Sequence, residues 1–349
     1  MSEPGAGAGN GAAGNGAAGK GAAGKGAGPG RPGASLPERP AQPGRGSWLA
    51  AGKRAASEFS ADFLQDRAAA LTYYGVLAIF PALLVLVSLL GLIGKSATQP
   101  LITNLAQAAP SAVRQTLLTA VDHLQRSHAS AGVAAIIGIV AGLWSASSYI
   151  GAFMRASNAI YDVPEGRPAW KTLPIRLGVT IVMMVLVIAA AFIIVITGGL
   201  ARHVGQLLGI GSAALTVWNI AKWPVLLVIV SLMLAILYWA SPNAKQRFTL
   251  LSPGSLIAVL GWLIASGLFA LYVANLGHYN KVYGSIAGII IFLIWMWISN
   301  AMVLFGAEFN AELQRGRAIA AGAPAGKEPF AELRDSRKLR KKSGRKPRA

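Results

Sequence analysis

The chain has 349 residues, of which 54% are hydrophobic and 13% charged, whereas soluble globular proteins carry about 25% charged residues. The formal net charge of +19 gathers at the two ends and in short loops, so the basic character belongs to the flanks and not to the central apolar body. With no cysteine, disulfides, thiolate metal centres and cysteine nucleophiles are excluded.

Residues 1–46 are a Gly/Ala/Pro-rich arm in which Gly-Ala-Ala-Gly-Asn/Lys recurs from Gly11 to Lys25 before the composition turns Pro-rich. Nothing in it offsets the entropy of ordering, so it is expected to be disordered. It lacks the ordered charged, apolar and cleavage regions of a signal peptide. From 47 to 66, Trp48, Phe59 and Phe63 alternate with Lys53, Arg54, Glu58 and Asp62. That spacing predicts an amphipathic helix, read either as interfacial or as an ordinary lead-in to the first span.

Six apolar runs follow, at about 68–93, 132–153, 177–200, 223–240, 256–274 and 286–307, and none has Lys, Arg, Asp or Glu in its interior. About 20 apolar residues cross a hydrocarbon layer of about 30 Å, and lipid satisfies no exposed backbone group, so runs of this length are helices. The expected fold is an all-α integral membrane protein with six transmembrane helices spanning 67–313. It is flanked by the disordered arm and a basic cytoplasmic tail over 314–349. Lys and Arg number 26 before the first span and in alternate loops and tail, against 6 on the other side. The positive-inside rule then places both termini in the cytoplasm. In the first outer loop, Val113, Leu117, Val121 and Leu124 after Ser111 predict a further amphipathic helix.

No catalytic constellation is legible. His123, His128, His203 and His278 fall in the outer loops without zinc-ligand spacing. There is no phosphate-binding Gly-x-x-x-x-Gly-Lys-Ser/Thr loop, so no cofactor or metal is expected. Polar and aromatic residues instead cluster at span ends. The first cluster holds Arg67, Tyr73 and Tyr74 ahead of Pro81, which removes a helical hydrogen bond and marks either a packing kink or a hinge. The second runs from Trp144 through Ser145, Ser148 and Tyr149 to Arg155, Asn158 and Tyr161, residues suited to close helix packing or to a polar path. The third, Asn275, Tyr279, Asn280 and Tyr283, is either a structural hairpin or a site for headgroup or solute capture. The fourth centres on Glu308 and Asn310. A carboxylate at the membrane boundary needs a cation, and Arg67 or Arg155 is the expected partner of Glu308.

These segments resemble the YihY/virulence factor BrkB family of bacterial inner-membrane proteins, also labelled ribonuclease BN-like. The resemblance runs from about Phe59 to Leu313. It rests on RAAALTYYGVLAIFPALL, GLWSASSYIGAFMRASNAIYDVPEGRP, LYVANLGHYNKVYGS and IFLIWMWISNAMVLFGAEFNAEL. It implies a six-helix protein of the bacterial inner membrane and a role in envelope biogenesis or lipid-precursor handling. The leading expectation is therefore a transporter-like or lipid-handling envelope protein. The alternatives are a scaffold, whose basic tail binds anionic lipid headgroups or an envelope protein partner, and a membrane-tethered ribonuclease. The ribonuclease is disfavoured because phosphodiester hydrolysis wants converging metal ligands, and no specific nucleic-acid partner is expected.

Overall fold

The computed structural model describes residues 45–93, 131–195, 212–275, 279–324, 326 and 329–343. The low-complexity arm up to residue 44, the predicted helix after Ser111 and the four histidines lie outside the described residues. Eight helices are described: α1 (Arg45–Ala61), α2 (Leu64–Ile93), α3 (Ala131–Ile160), α4 (Ala169–Val195), α5 (Ser212–Ala240), α6 (Pro253–Asn275), α7 (Tyr279–Ala320) and α8 (Arg337–Ser343). Among the described residues the one β element is an isolated antiparallel bridge between Ala244 and Leu333.

Apolar length makes these helices. Four stretches within α4–α7 are long and apolar enough to cross a membrane: Ala169–Ile194, Thr216–Ala240, Pro253–Asn275 and Ala287–Ala320. Their outer faces confirm the solvent they are made for. On α4, Ile181, Val185, Ile188 and Phe192 are exposed at helical spacing, and on α6 so are Leu260, Ile264, Leu268 and Leu271. Apolar belts of that extent are not tolerated by soluble monomers. At 1.5 Å per residue the 42-residue α7 is about 63 Å long. It therefore runs well past any hydrocarbon layer, and the basic tail predicted from residue 314 begins as helix.

α2 packs against α3 and α7, α6 lies along α7, and α4 bridges α3 and α5. Leu64, Leu71, Phe153 and Leu304 are fully buried at the centre. The predicted 47–66 helix is split. α1 ends at Ala61, and Phe63 takes a left-handed turn (φ 52°) before α2 begins. α1 is also not a bare interfacial helix. Ala51 and Ala55 are buried with Phe309 and Leu313 of α7, and Arg54 Nε donates to Glu312 Oε2 at 2.5 Å.

Helix starts and crossings follow local chemistry. Ser252 caps α6, accepting from the Ser255 amide at 3.1 Å, and Pro253 fills the first helical position, where its missing N–H costs nothing. α6 then meets α7 backbone to backbone at Gly254 and Gly306, where a Cβ on either glycine would collide with the carbonyl of the other. α4 begins eight residues before the apolar run that announced it, its first amides at Lys171 and Thr172 bonding the Pro168 carbonyl. Lys171 and Arg176 are thereby helical residues, not loop cations.

Candidate functional site

Three helices meet through a polar layer inside the bundle. The Tyr149 hydroxyl on α3 donates to Asn300 Oδ1 on α7 at 2.8 Å, and Asn300 Nδ2 donates to Thr72 Oγ1 on α2 at 3.1 Å. Thr72 completes the chain by donating to the Ala68 carbonyl at 2.9 Å. Such satisfied networks fix helix register where apolar packing is permissive. Tyr149 is thus a joint of the bundle, held by Asn300 and Thr72, two residues the sequence did not single out.

Beside this layer, α4 sends Arg176 across to α3. Its Nε donates to the Ser147 carbonyl at 2.5 Å, and its Nη2 donates to the hydroxyls of Ser147 (2.8 Å) and Ser148 (3.1 Å). Those hydroxyls in turn donate to the Trp144 carbonyl, and the guanidinium lies 5.9 Å from the Trp144 ring centroid. Arg155, exposed on α3, lies 6.0 Å from the Tyr74 ring centroid, and Tyr74 stacks edge-on with exposed Tyr73.

A cleft of about 330 Å³ opens next to these groups. It is lined chiefly by apolar side chains of α2–α5, among them Ile150, Met183, Met184, Ile188 and Leu237, with Tyr149 and Thr180 at its polar edge. Thr180 Oγ1 donates to the Arg176 carbonyl, so the cleft and the guanidinium share one turn of α4. A volume of this order suits part of an extended hydrocarbon chain better than a polar solute.

A second polar region caps the end of the bundle where α3 and α5 finish. Arg167 is 2% exposed. It donates to both oxygens of Glu165 (2.7 and 2.8 Å) and to the Ser241 carbonyl (2.8 Å). Asn158 Nδ2 donates to Glu165, and its Oδ1 accepts from the Asn243 amide at 2.7 Å. Burial alone would raise the Glu165 carboxyl. The hydrogen bonds and charge of Arg167, with the bond from Asn158, outweigh it and hold the group below the ordinary carboxylate range.

Onto this cap the chain folds back after α7. Arg334 donates its amide to the Asn243 carbonyl at 2.7 Å, while Asn243 Nδ2 reaches the Asp335 carbonyl at 2.9 Å. The Lys338 amide reaches the Gly166 carbonyl. Lys171 bonds the Asp335 carboxylate at 2.5 Å, and that bond, with the Arg337 amide, keeps Asp335 below its usual range. Within the stretch expected as a basic cytoplasmic tail, residues 332–338 are therefore docked on the cap.

The remaining sequence candidates separate cleanly. Arg67 curls back to the Asp62 carbonyl at 3.0 Å, and Arg155 faces Tyr74, so the expected partnership of Glu308 with either is corrected. Glu308 is 1% exposed with Oε2 unbonded. The cation that reaches this part of α7 comes from α1 and goes to Glu312 one turn on. Burial first, and the Glu308 charge second, push the buried Tyr161 phenol up. Asn310 ties the start of α6, accepting from the Gly254 amide and donating to Ser252 Oγ. Asn275 is exposed and bonds its own helix at Leu271, and Ser145 is half-buried. α2 continues through position 81. The side chains of Pro81, Tyr279, Asn280 and Tyr283 lie outside the described residues.

Sequence reasoning passed over Arg176, Ser147, Arg167, Asn243 and Asn300. For Arg176 a signal existed: Trp170, Leu173 and Ile175 precede it after Pro168, a helix start with an interfacial aromatic. Asn243 offered none.

Among known proteins, the family profile described as virulence factor BrkB matches residues 55–330. The ribonuclease-like protein YfkH of Bacillus subtilis (strain 168) is 30% identical over 255 residues, 73% of this chain and 92% of that protein. UPF0761 membrane proteins of Alkalilimnicola ehrlichii and Chromohalobacter salexigens are 29% and 28% identical over 74% and 72% of this chain. The chain spans only 57% and 60% of those two proteins' lengths. No solved structure matches.

Proposed function

The chain belongs to the virulence factor BrkB family of membrane proteins, and from that premise we propose that it is a six-span inner-membrane protein that handles lipid or another long-chain amphiphile of the cell envelope. α2 and α3, thirty residues each, add two spans to the four apolar helices. Both chain ends then lie on the cytoplasmic side, as the distribution of Lys and Arg argues.

The observation that carries the reading is the apolar cleft among α2–α5, set within the spans and edged by Tyr149 and Thr180. A hydrocarbon chain gains about 0.8 kcal/mol per CH₂ removed from water but almost nothing on leaving bulk lipid. Selection at such a cleft therefore falls to shape and to the polar groups at its edge. Movement of labelled phospholipid between leaflets of proteoliposomes tests the proposal. The full chain should accelerate it, and Met184→Trp, which fills the cleft, should bring the rate back to that of empty vesicles. No acceleration for any lipid class would sink the reading.

Scaffolding is the second reading, favoured by the docked C-terminal segment, which presents exposed Arg337, Lys338 and Lys341 to anionic headgroups or an acidic partner. The ribonuclease-like name belongs to the Bacillus relative. Among the described residues no group of three or more His, Cys, Asp or Glu side chains is placed to hold a metal ion, and we propose a non-enzymatic role.

A further inference from the structure

Two guanidinium groups lie close enough for the charge of Arg155 to act on Arg176, and neither pairs with a carboxylate among the described residues. Arg176 rests against Gly151, where an added Cβ would lie 3.2 Å from its Cζ. Arg155 follows one helical turn later on the same face of α3. Nη1 of Arg176 makes no hydrogen bond among the described residues, its Nε and Nη2 being the atoms that bond Ser147 and Ser148. Neither arginine forms an ion pair among the described residues, whereas Arg54, Arg167, Lys171 and Lys245 each do.

Like charges so placed repel, and their repulsion grows as water is withdrawn. An arrangement of this kind is stabilised by an anion between them. Depth says which anion. Arg155 lies five residues before the end of α3 and Arg176 seven after the start of α4, about 8 and 10 Å along the axes. In the proposed six-span arrangement those distances put both side chains within reach of the boundary between hydrocarbon and water, where lipid phosphates reside.

Resting on the lipid-handling reading above, we propose that Arg155 and Arg176 form the headgroup site of the cleft and select a phospholipid of net negative charge. Its phosphate is held between the two guanidiniums and one acyl chain lies along Met183, Met184 and Ile188. Arg176 presents Nη1 to a phosphate oxygen while Ser147 and Ser148 hold its other edge in place. Arg155, exposed and without an ion pair among the described residues, closes from the side of Tyr74. A second protein would have to carry a carboxylate into the lipid boundary to meet this pair, while phosphate is already there. The apolar cleft continuing from Arg176 through Thr180 matches a headgroup that drags a chain behind it.

Native mass spectrometry of the full chain in mild detergent tests this, with phosphatidylglycerol, phosphatidylcholine and diacylglycerol of identical chains offered in turn. The expected result is retention of one phosphatidylglycerol, less phosphatidylcholine and least diacylglycerol. Arg155→Gln should lower phosphatidylglycerol retention about fivefold and phosphatidylcholine retention by less, narrowing the preference, the factor following from about 1 kcal/mol per cation. Arg155 makes no hydrogen bond among the described residues, so this variant is expected to fold even if Arg176→Gln does not, and Arg176→Lys should restore part of the preference. Equal retention of phosphatidylglycerol and diacylglycerol would overturn the headgroup site and leave the cleft standing. Retention of no lipid at all would overturn both. Displacement of bound phosphatidylglycerol by inorganic phosphate would show a site for free anion, and so overturn the lipid assignment.

Discussion

The cap and the cleft use the same residue types to opposite ends. At the cap, Arg167 is saturated by Glu165, Ala240 and Ser241, and Asn243 is fully buried with both ends of its side chain bonded. At the cleft, Arg155 and Arg176 have hydroxyls, a carbonyl and aromatic rings around them but form no ion pair among the described residues. A charge that is fully paired holds a fold together. One left without a carboxylate beside the lipid phosphates is, on the proposal above, free to take an anion that arrives later. On the proposal made above, the contrast assigns stability to the cap and recognition to the cleft.

The most severe challenge to that division is Arg167→Ala. It strands Glu165 and two carbonyls, and the loss of one partner of a buried pair costs about 3–5 kcal/mol. The apparent Tm in detergent, followed by the fluorescence of the nine tryptophans, should fall by several degrees. A Tm unchanged from wild type would mean the cap holds nothing together.

Next in size is Asn243→Ala, which leaves the Asp335 amide and carbonyl and the Pro164 carbonyl without their side-chain partner, at about 2 kcal/mol. The docked segment should then exchange its amide hydrogens and be cut by protease after α7, while α2–α7 stay protected. Protection that is equal in both proteins would detach the segment from the cap.

Smallest is the effect of acid. A carboxyl held below its unfolded value contributes stability that is present above that value and is lost as pH falls through the folded one. Glu165 and Asp335 both lie on that side, so release of the segment is expected as pH drops below the ordinary carboxylate range of about 4. Mutating Glu165 to Gln should flatten the pH profile of segment protection between pH 3 and 5. A profile that keeps its slope would assign the acid sensitivity elsewhere.

Four of the six expected spans return as helices long and apolar enough to cross a membrane, legible because hydrocarbon imposes a length and a composition that no other solvent asks for. Arg176 was hidden by the same rule. A scan for uncharged stretches ends at the first cation, so it leaves out a guanidinium two turns inside α4. The return of 332–338 was hidden for another reason. It is held by backbone amides meeting Asn243 and Gly166, and amides carry no sequence signature, while its lysines and arginines advertise a free polycation. Glu308 shows the limit of pairing by proximity to a boundary. The rule that a buried acid needs a cation named the need correctly, but the α1–α7 contact delivers that cation to Glu312.

One consequence follows from the crossing at Gly254 and Gly306. With main chains in direct touch, and Tyr238 of α5 bonded to the Val303 carbonyl of α7 one turn away at 2.7 Å, three helices are pinned at one level. Any relative motion of α6 and α7 that keeps this contact must turn about it. A single methyl at either glycine would pry the two shafts apart at the hinge-pin, and the lever arms on both sides would swing with it.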